Sequence, residues 1–245
     1  MTPNGCTVIL PTYNEAENIG RMISCLRGSY PNFKILVMDD NSKDGTIDIV
    51  NGVAGTDGNV RIIVRDPADK GLTASTAHGI TETDTEFFIN MDSDFQHPPS
   101  ALENIYKELT SGADLVIGLR TDREALPFKR RIASLIADSM ANFTLRFRGK
   151  KSSSDIMSGL FGGRTDVFAD VVRTHGKEFE MRGFKILFDL LKYAPYDITV
   201  KESPYEFGER QGGESKIGSK IIFSVLRQCG ILGKMAAAVL SGMKR

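Results

Sequence analysis

Five short apolar runs recur along the first half of the chain, each followed by a polar loop, and helical apolar spacing separates one run from the next. They occupy residues 6–10 (CTVIL), 34–38 (KILVM), Val60–Val64 (VRIIV), 86–91 (EFFINM) and 115–119 (LVIGL). Their apolar character is nearly continuous, which is the pattern of strands covered on both faces. Helices are expected over residues 14–26, 46–53, 72–81 and 99–110, the last with Leu102, Ile105, Tyr106 and Leu109 on one face. Strands alternating with helices at this spacing predict an α/β fold with a mostly parallel sheet flanked by helices.

In open α/β sheets, ligands sit outside the carboxyl ends of the strands. That rule gathers residues 11–15, 39–42, 66–71, 92–96 and Arg120 along one rim. The first of these loops has no G-x-G-x-x-G, so a dinucleotide fold is disfavoured. Carboxylates, a tyrosine and an arginine stand there instead, a set suited to a nucleoside diphosphate held through a metal. Tyr13 can line or stack on a base, Asp40 can accept from base or ribose hydroxyls, and the cation screens the pyrophosphate.

Within that rim, Asp92-Ser93-Asp94-Phe95-Gln96-His97-Pro98-Pro99 follows an apolar run. Residues i and i+2 of an extended segment point to the same side, so Asp92 and Asp94 can present hard oxygens to one Mg²⁺ or Mn²⁺. Gln96 adds a neutral oxygen. The same residues also read as a solvated turn with Pro98 opening a helix. His97 follows Gln96 and also reads as a solvent-facing turn residue; no catalytic histidine is assigned.

At 245 residues with 41% hydrophobic and 25% charged content, the chain can bury a sizeable core as one large domain or two small ones. Acidic and basic residues balance at 31 each, so the whole chain has no polyelectrolyte attraction to nucleic acid. Charge is nonetheless polarised: residues 120–151 carry nine basic residues against three acidic ones, which fits either an anionic partner or two solvated helical faces. Three cysteines without C-x-x-C spacing suggest neither a disulfide framework nor a zinc site, and a reducing, cytoplasmic setting is the default. The first residues show no leader peptide and no run is long enough to span a bilayer, so membrane contact is expected to be peripheral.

Pro11-Thr12-Tyr13-Asn14-Glu15, Asp39-Asp40-Asn41-Ser42 with Asp44 and Thr46, and the Asp92 to Pro99 stretch resemble the inverting glycosyltransferases of family 2, of GT-A fold. Ser158-Gly159-Leu160-Phe161, Gly183-Phe184-Lys185-Ile186-Leu187 and Phe207-Gly208-Glu209-Arg210-Gln211-Gly212-Gly213-Glu214-Ser215-Lys216 are similar to the polyprenyl (dolichyl) phosphate mannosyltransferases within it. The resemblance runs from about Thr7 to about Ile222. Gly212 and Ile156 depart from the family, which more often has an arginine and a proline there.

The resemblance implies that Pro11, Tyr13, Glu15 and Asp40 contact the guanosine of GDP-mannose, with Met38 and Ser93 also in the donor-binding set. It implies that Asp92, Asp94 and Gln96 hold Mg²⁺ or Mn²⁺ with the donor diphosphate. Lys185 would lie near the donor, and Arg210 and Lys216 would close over it. Arg120, Arg130 and Ser134 would receive the phosphate of a polyprenyl (dolichyl) phosphate acceptor. Donors built on UDP-glucose or UDP-N-acetylglucosamine are the alternative, and a non-catalytic nucleotide-sugar or lipid-phosphate binding subunit is a rival of another class.

A phosphate monoester acceptor is already ionised near neutral pH, so the reaction asks for cations around two anions rather than for a general base. Asp94, Arg120 and Arg130 are therefore the residues expected to carry it, with Arg131 beside them. For the lipid, residues 129–147 read as an amphipathic helix with Ile132, Leu135, Ile136, Met140 and Phe143 on one face. That face either lies in a lipid headgroup region or packs in the core. Residues 1–216 are expected to form the catalytic domain and 217–245 an amphipathic helical segment that meets a membrane surface or small membrane-anchoring subunits, broken near Gly230 and Gly233. Endoplasmic reticulum or plasma membrane would follow from the kind of cell. Residues 150–154 (KKSSS) are the best candidate for a flexible loop.

Overall fold

The strand-like runs become one sheet in the computed structural model, which describes residues 2–121, 128–181, 186–208 and 228–230, the side chains of 2–4 and 128–137 apart. Its strands are β1 (Thr2–Thr12), β2 (Lys34–Asp39), β3 (Val60–Val64), β4 (Thr85–Asn90), β5 (Leu115–Arg120), β6 (Phe161–Arg164) and β7 (Val200–Tyr205). They lie in the order β3-β2-β1-β4-β6-β5-β7. All neighbours are parallel except β6, which runs antiparallel between β4 and β5. Helices are α1 (Ala16–Ser29), α2 (Thr46–Ala54), α3 (Leu72–Glu82), α4 (Ala101–Thr110), α5 (Phe128–Phe147), α6 (Thr165–His175) and α7 (Ile186–Tyr193).

Continuous apolar runs follow from a sheet with two buried faces. In β1, Val8 and Leu10 join one core cluster while Ile9 joins the other; in β2, Ile35 and Val37 part in the same way from Leu36 and Met38. Each such fully buried side chain stabilises the fold by about 1.5–3 kcal/mol before entropy is counted. One cluster packs beneath α1 and α4, the other beneath α3, α6 and α7.

The apolar pattern announces β7 no more than it announces β6, which lies inside the sheet. Its sequence, Phe-Gly-Gly-Arg, has two glycines because its faces have no room. A Cβ on Gly162 would meet Phe88 O at 2.9 Å and Ile105 Cγ2 at 2.9 Å, and one on Gly163 would meet the Phe168 ring at 2.8 Å. Helix α1 starts at Ala16 rather than at residue 14, since Asn14 has φ 54° and cannot join a right-handed helix.

One expectation is corrected. Residues 150–154 are tied down: Ser153 Oγ–H and Ser154 N–H donate to the Glu202 carboxylate at 2.8 and 2.5 Å, and Lys150 Nζ donates to Ala194 O at 2.7 Å. Among the described side chains of α5 the buried ones are Asp138, Ala141 and Leu145, while Phe143 is 63% exposed and stacks on the exposed Phe147 at 6.4 Å. Phe143 therefore lies off the face that packs in the core. Apart from 228–230, the segment 217–245 lies outside the described residues. Among the described residues no helix is long and apolar enough to cross a membrane.

Candidate functional site

The chain passes from β1 to β2 and β3 on one side, then returns to β4 on the other, so the sheet's switch point lies between β1 and β4. Ligands of open α/β sheets bind at such a point. The loops leaving β1, β2 and β4 there contain Asn14 (φ 54°), Asn41 (φ 61°) and Phe95 (φ 62°), the non-glycine residues with positive φ among those described. Asparagine tolerates this conformation, but a bulky aromatic does so at a cost of about 1–2 kcal/mol, and such strain concentrates at functional sites. Phe95 is held in place by neighbours. Gly208 N–H donates to Gln96 O at 2.9 Å, and the Arg21 guanidinium lies 5.1 Å from the Phe95 ring centroid.

The first two loops are cross-linked by the motif residues. Asn14 N–H donates to Ser42 Oγ (2.8 Å), Glu15 N–H to Thr46 Oγ1 (3.0 Å), Ala16 N–H to Asp44 Oδ2 (3.0 Å) and Lys43 N–H to Asn14 Oδ1 (3.0 Å). Burial alone would raise the Asp44 pKa, but the hydrogen bonds from Thr46 and Ala16 outweigh it and hold the carboxyl below its ordinary value. Ser42, Asp44 and Thr46 therefore shape the rim.

Asp40 is more deeply engaged than the sequence suggests. Its Oδ1 accepts from Arg65 Nη1 (2.5 Å) and Ser75 Oγ (2.7 Å), and its Oδ2 from Gly71 N–H (2.9 Å). Sequence reading missed Arg65 and Ser75; the arginine immediately after β3 was the available signal. Met38 is fully buried, its Cγ 3.1 Å from where a Cβ on Gly79 would stand, so its side chain lies in the core beneath α3. Pro11 is buried at the strand end, paired with Met38. Glu15 caps α1 and accepts from Asn18 Nδ2 at 3.1 Å. Tyr13 stands at the opening of the rim with Lys70 Nζ 2.9 Å from its ring centroid. Asp69 and Lys70 also line a cavity of about 550 Å³ that follows α3 past Ala74 and His78; Asp92 and Asp94 are not among its walls.

After β4 the chain curls rather than continuing extended, with bends over 93–97 and the left-handed Phe95. The expected same-side presentation of Asp92 and Asp94 on an extended strand is thus corrected. Asp94 is 2% exposed and its Oδ1 accepts from Gln96 N–H at 3.1 Å; Ser93 is buried beside it. The Asp92 side chain is 37% exposed. No group of three His, Cys, Asp or Glu residues that could hold a metal occurs among the described residues. The donor chemistry nevertheless fits a hard cation: two carboxylates supply part of the coordination, and Mg²⁺ ordinarily takes the rest from water and substrate phosphate.

His97 is not a solvent-facing turn residue. It is 2% exposed, with Nδ1 2.9 Å from Tyr205 Oη and Nε2 3.3 Å from Asp92 Oδ2. Burial pushes the Tyr205 phenol above its ordinary pKa, so it stays protonated.

Arg120 ends β5 and donates from Nε and Nη2 to the two oxygens of the buried Asp155, each at 2.7 Å. Its guanidinium lies 5.5 Å from the Phe207 ring centroid. Burial alone would lower the Arg120 pKa, and the hydrogen bonds to Asp155 more than offset this and raise it. Arg120 is thus a charged, pre-oriented fork with one edge already occupied. Sequence reading missed Asp155, a single acid inside a serine-rich segment. Arg130 and Ser134 lie on α5, their side chains outside the description, and Lys185, Arg210 and Lys216 fall outside the described residues.

The family described as Glycosyl transferase family 2 matches residues 7–172. A dolichol-phosphate mannosyltransferase of Mycosarcoma maydis is 34% identical, over 93% of this chain and 78% of its own length. Another of that name from Pyrococcus furiosus is 34% identical over 90% of this chain, which spans 61% of that longer protein. Among solved structures, glucosyl-3-phosphoglycerate synthase from Mycobacterium tuberculosis in complex with phosphoglyceric acid superposes with a TM-score of 0.64 at 18% identity, covering 93% of this chain and 80% of that one.

Proposed function

The chain belongs to glycosyl transferase family 2, and on that premise we propose that it transfers mannose from GDP-mannose to a polyprenyl (dolichyl) phosphate, with inversion. The observation that carries this reading is the place of the Asp92 to Asp94 loop, which leaves β4 at the sheet's switch point, beside the strand that delivers Tyr13 and Glu15. Relatives named dolichol-phosphate mannosyltransferase at 34% identity support the choice of sugar and acceptor.

In this reading an oxygen of the lipid phosphate attacks the anomeric carbon while the bond to the diphosphate breaks, and GDP leaves with the bonding electrons. Asp92 and Asp94, with Gln96, would hold Mg²⁺ or Mn²⁺, whose charge would stabilise the leaving diphosphate. Tyr13 and Glu15 receive the nucleoside. Arg120, fixed by Asp155, offers its remaining N–H groups to the acceptor phosphate, together with Arg130 and Ser134 on α5; no proton has to be removed from the nucleophile. Lys185, Arg210 and Lys216 complete the donor site. The chain works peripherally at the cytoplasmic face of a membrane, where residues 217–245 meet the membrane surface or a small anchoring subunit.

The test offers labelled GDP-mannose, UDP-glucose and UDP-N-acetylglucosamine with a polyprenyl phosphate, and measures label extracted into organic solvent. Transfer from GDP-mannose alone is expected, and Asp94→Asn is expected to abolish it while the protein stays folded. Transfer from a UDP-sugar instead, or full turnover by Asp94→Asn at limiting metal, overturns the assignment.

A further inference from the structure

His97 is buried, aromatic-lined and unused by the reaction as described above, yet its ring faces Asp92, a carboxylate of the rim. Its ring is fixed on three sides. Tyr205 Oη meets Nδ1 at 2.9 Å, the Phe207 ring stands edge-on at 5.6 Å between centroids, and Nε2 faces Asp92 Oδ2 at 3.3 Å. An ionised carboxylate only accepts, so the ring nitrogen facing it carries a proton, while Nδ1 and Tyr205 Oη share a second hydrogen bond that fixes the ring plane.

A second observation comes from the opposite wall. A Cβ on Gly159 would lie 3.0 Å from His97 Nε2 and 3.3 Å from Asp92 Oδ2. The glycine thus leaves clear the space in which the two side chains meet. Gly159 is itself located by Asn90, the last residue of β4, whose Nδ2 donates to Gly159 O at 2.8 Å. The contact is therefore framed by β4, by the end of β7 and by the segment entering β6.

We propose that His97, oriented by Tyr205, is a positioning residue that holds Asp92 in the orientation needed to bind a divalent cation with a nucleoside diphosphate. This rests on the reading of Asp92 and Asp94 as the carboxylates that hold that cation. Groups that orient metal-ligating side chains typically contribute about 10–100-fold to metal affinity.

The test titrates Mn²⁺ into the 245-residue chain with GDP present and reads free Mn²⁺ by electron paramagnetic resonance, so it does not depend on turnover. His97→Leu is expected to weaken Mn²⁺ binding about 10–100-fold. Tyr205→Phe, which loses only a hydroxyl, is expected to weaken it by a smaller factor. His97→Gln, which restores an N–H near the Nε2 position, is expected to recover most of the loss; a merely structural histidine would lower the melting temperature without this pattern. Asp94→Asn separates the two claims. If Asp94→Asn loses Mn²⁺ while His97→Leu and Tyr205→Phe bind as the unaltered protein does, positioning by His97 is refuted and the cation site stands. Unaltered binding in Asp94→Asn overturns both. Should His97→Leu fail to fold, Tyr205→Phe decides, and unchanged affinity there refutes the proposal.

Discussion

Removal of the Asp40 carboxylate should damage the fold before it damages any donor contact. The Asp40 and Arg65 side chains are only 7% and 5% exposed, and the carboxylate takes hydrogen bonds from Arg65, Ser75 and the Gly71 amide. Asp40→Ala leaves the guanidinium buried with Asp69 O as a remaining acceptor at 2.8 Å, while Arg65 Nε already has no hydrogen-bond partner among the described residues. Breaking a buried pair by removing one partner costs about 3–5 kcal/mol. For a chain of this size each kcal/mol moves the melting temperature by about 2–4 °C, so a fall of roughly 6–20 °C is expected. Replacing both partners with apolar residues, as in Asp40→Leu with Arg65→Met, should restore much of the loss, because no unpaired charge remains. Thermal melts of the single and double variants measure this coupling, and calorimetric titration with GDP measures the donor site. Recovery of stability without recovery of GDP binding would assign Asp40 to the donor as well as to the fold. A cost below about 1 kcal/mol for Asp40→Ala would refute the anchoring argument.

Two further outcomes follow from local features. Phe95→Gly should be more stable to urea than Phe95→Ala by about 1 kcal/mol, the reverse of the usual order, because only glycine takes φ 62° without strain; the usual order would refute the left-handed assignment. Burial pushes the Asp189 carboxyl in α7 up to about 6 despite hydrogen bonds from Gln228 and the Glu180 amide. The folded state then binds more protons than the unfolded state between the ordinary carboxylate range and about pH 6, so this group's stabilising contribution is present at low pH and lost as pH rises through about 6. Urea unfolding from pH 4.5 to 7, roughly spanning that window, should show this slope in the unaltered chain and lose it in Asp189→Asn; equal slopes in the two would refute the assignment.

Much of the architecture was legible because the decisive information was local. A run such as residues 34–38 is apolar at every position except its first, which suits a strand covered on both faces. Polar residues closing such runs mark the rim, so Tyr13, Asp40, Asp92 and Arg120 could be placed at strand ends before any coordinates. Their partners could not. Tyr205 stands 108 positions from the histidine it orients, Asp155 stands 35 from Arg120, and Arg65 stands 25 from Asp40. Each of those side chains reads alone as an ordinary polar residue.

The amino-acid sequence by itself determined the alternation of strands and helices, the family, and which loops carry carboxylates, since periodicity and motif spacing are properties of neighbouring residues. Tertiary structure alone decided that Gly162 and Gly163 form an antiparallel strand between β4 and β5, that Asp40 is locked to Arg65, and that His97 turns inward to Asp92. The physical reason is common to all three: the role of a glycine or a buried polar group is set by what stands opposite it, and that is fixed only when distant segments pack.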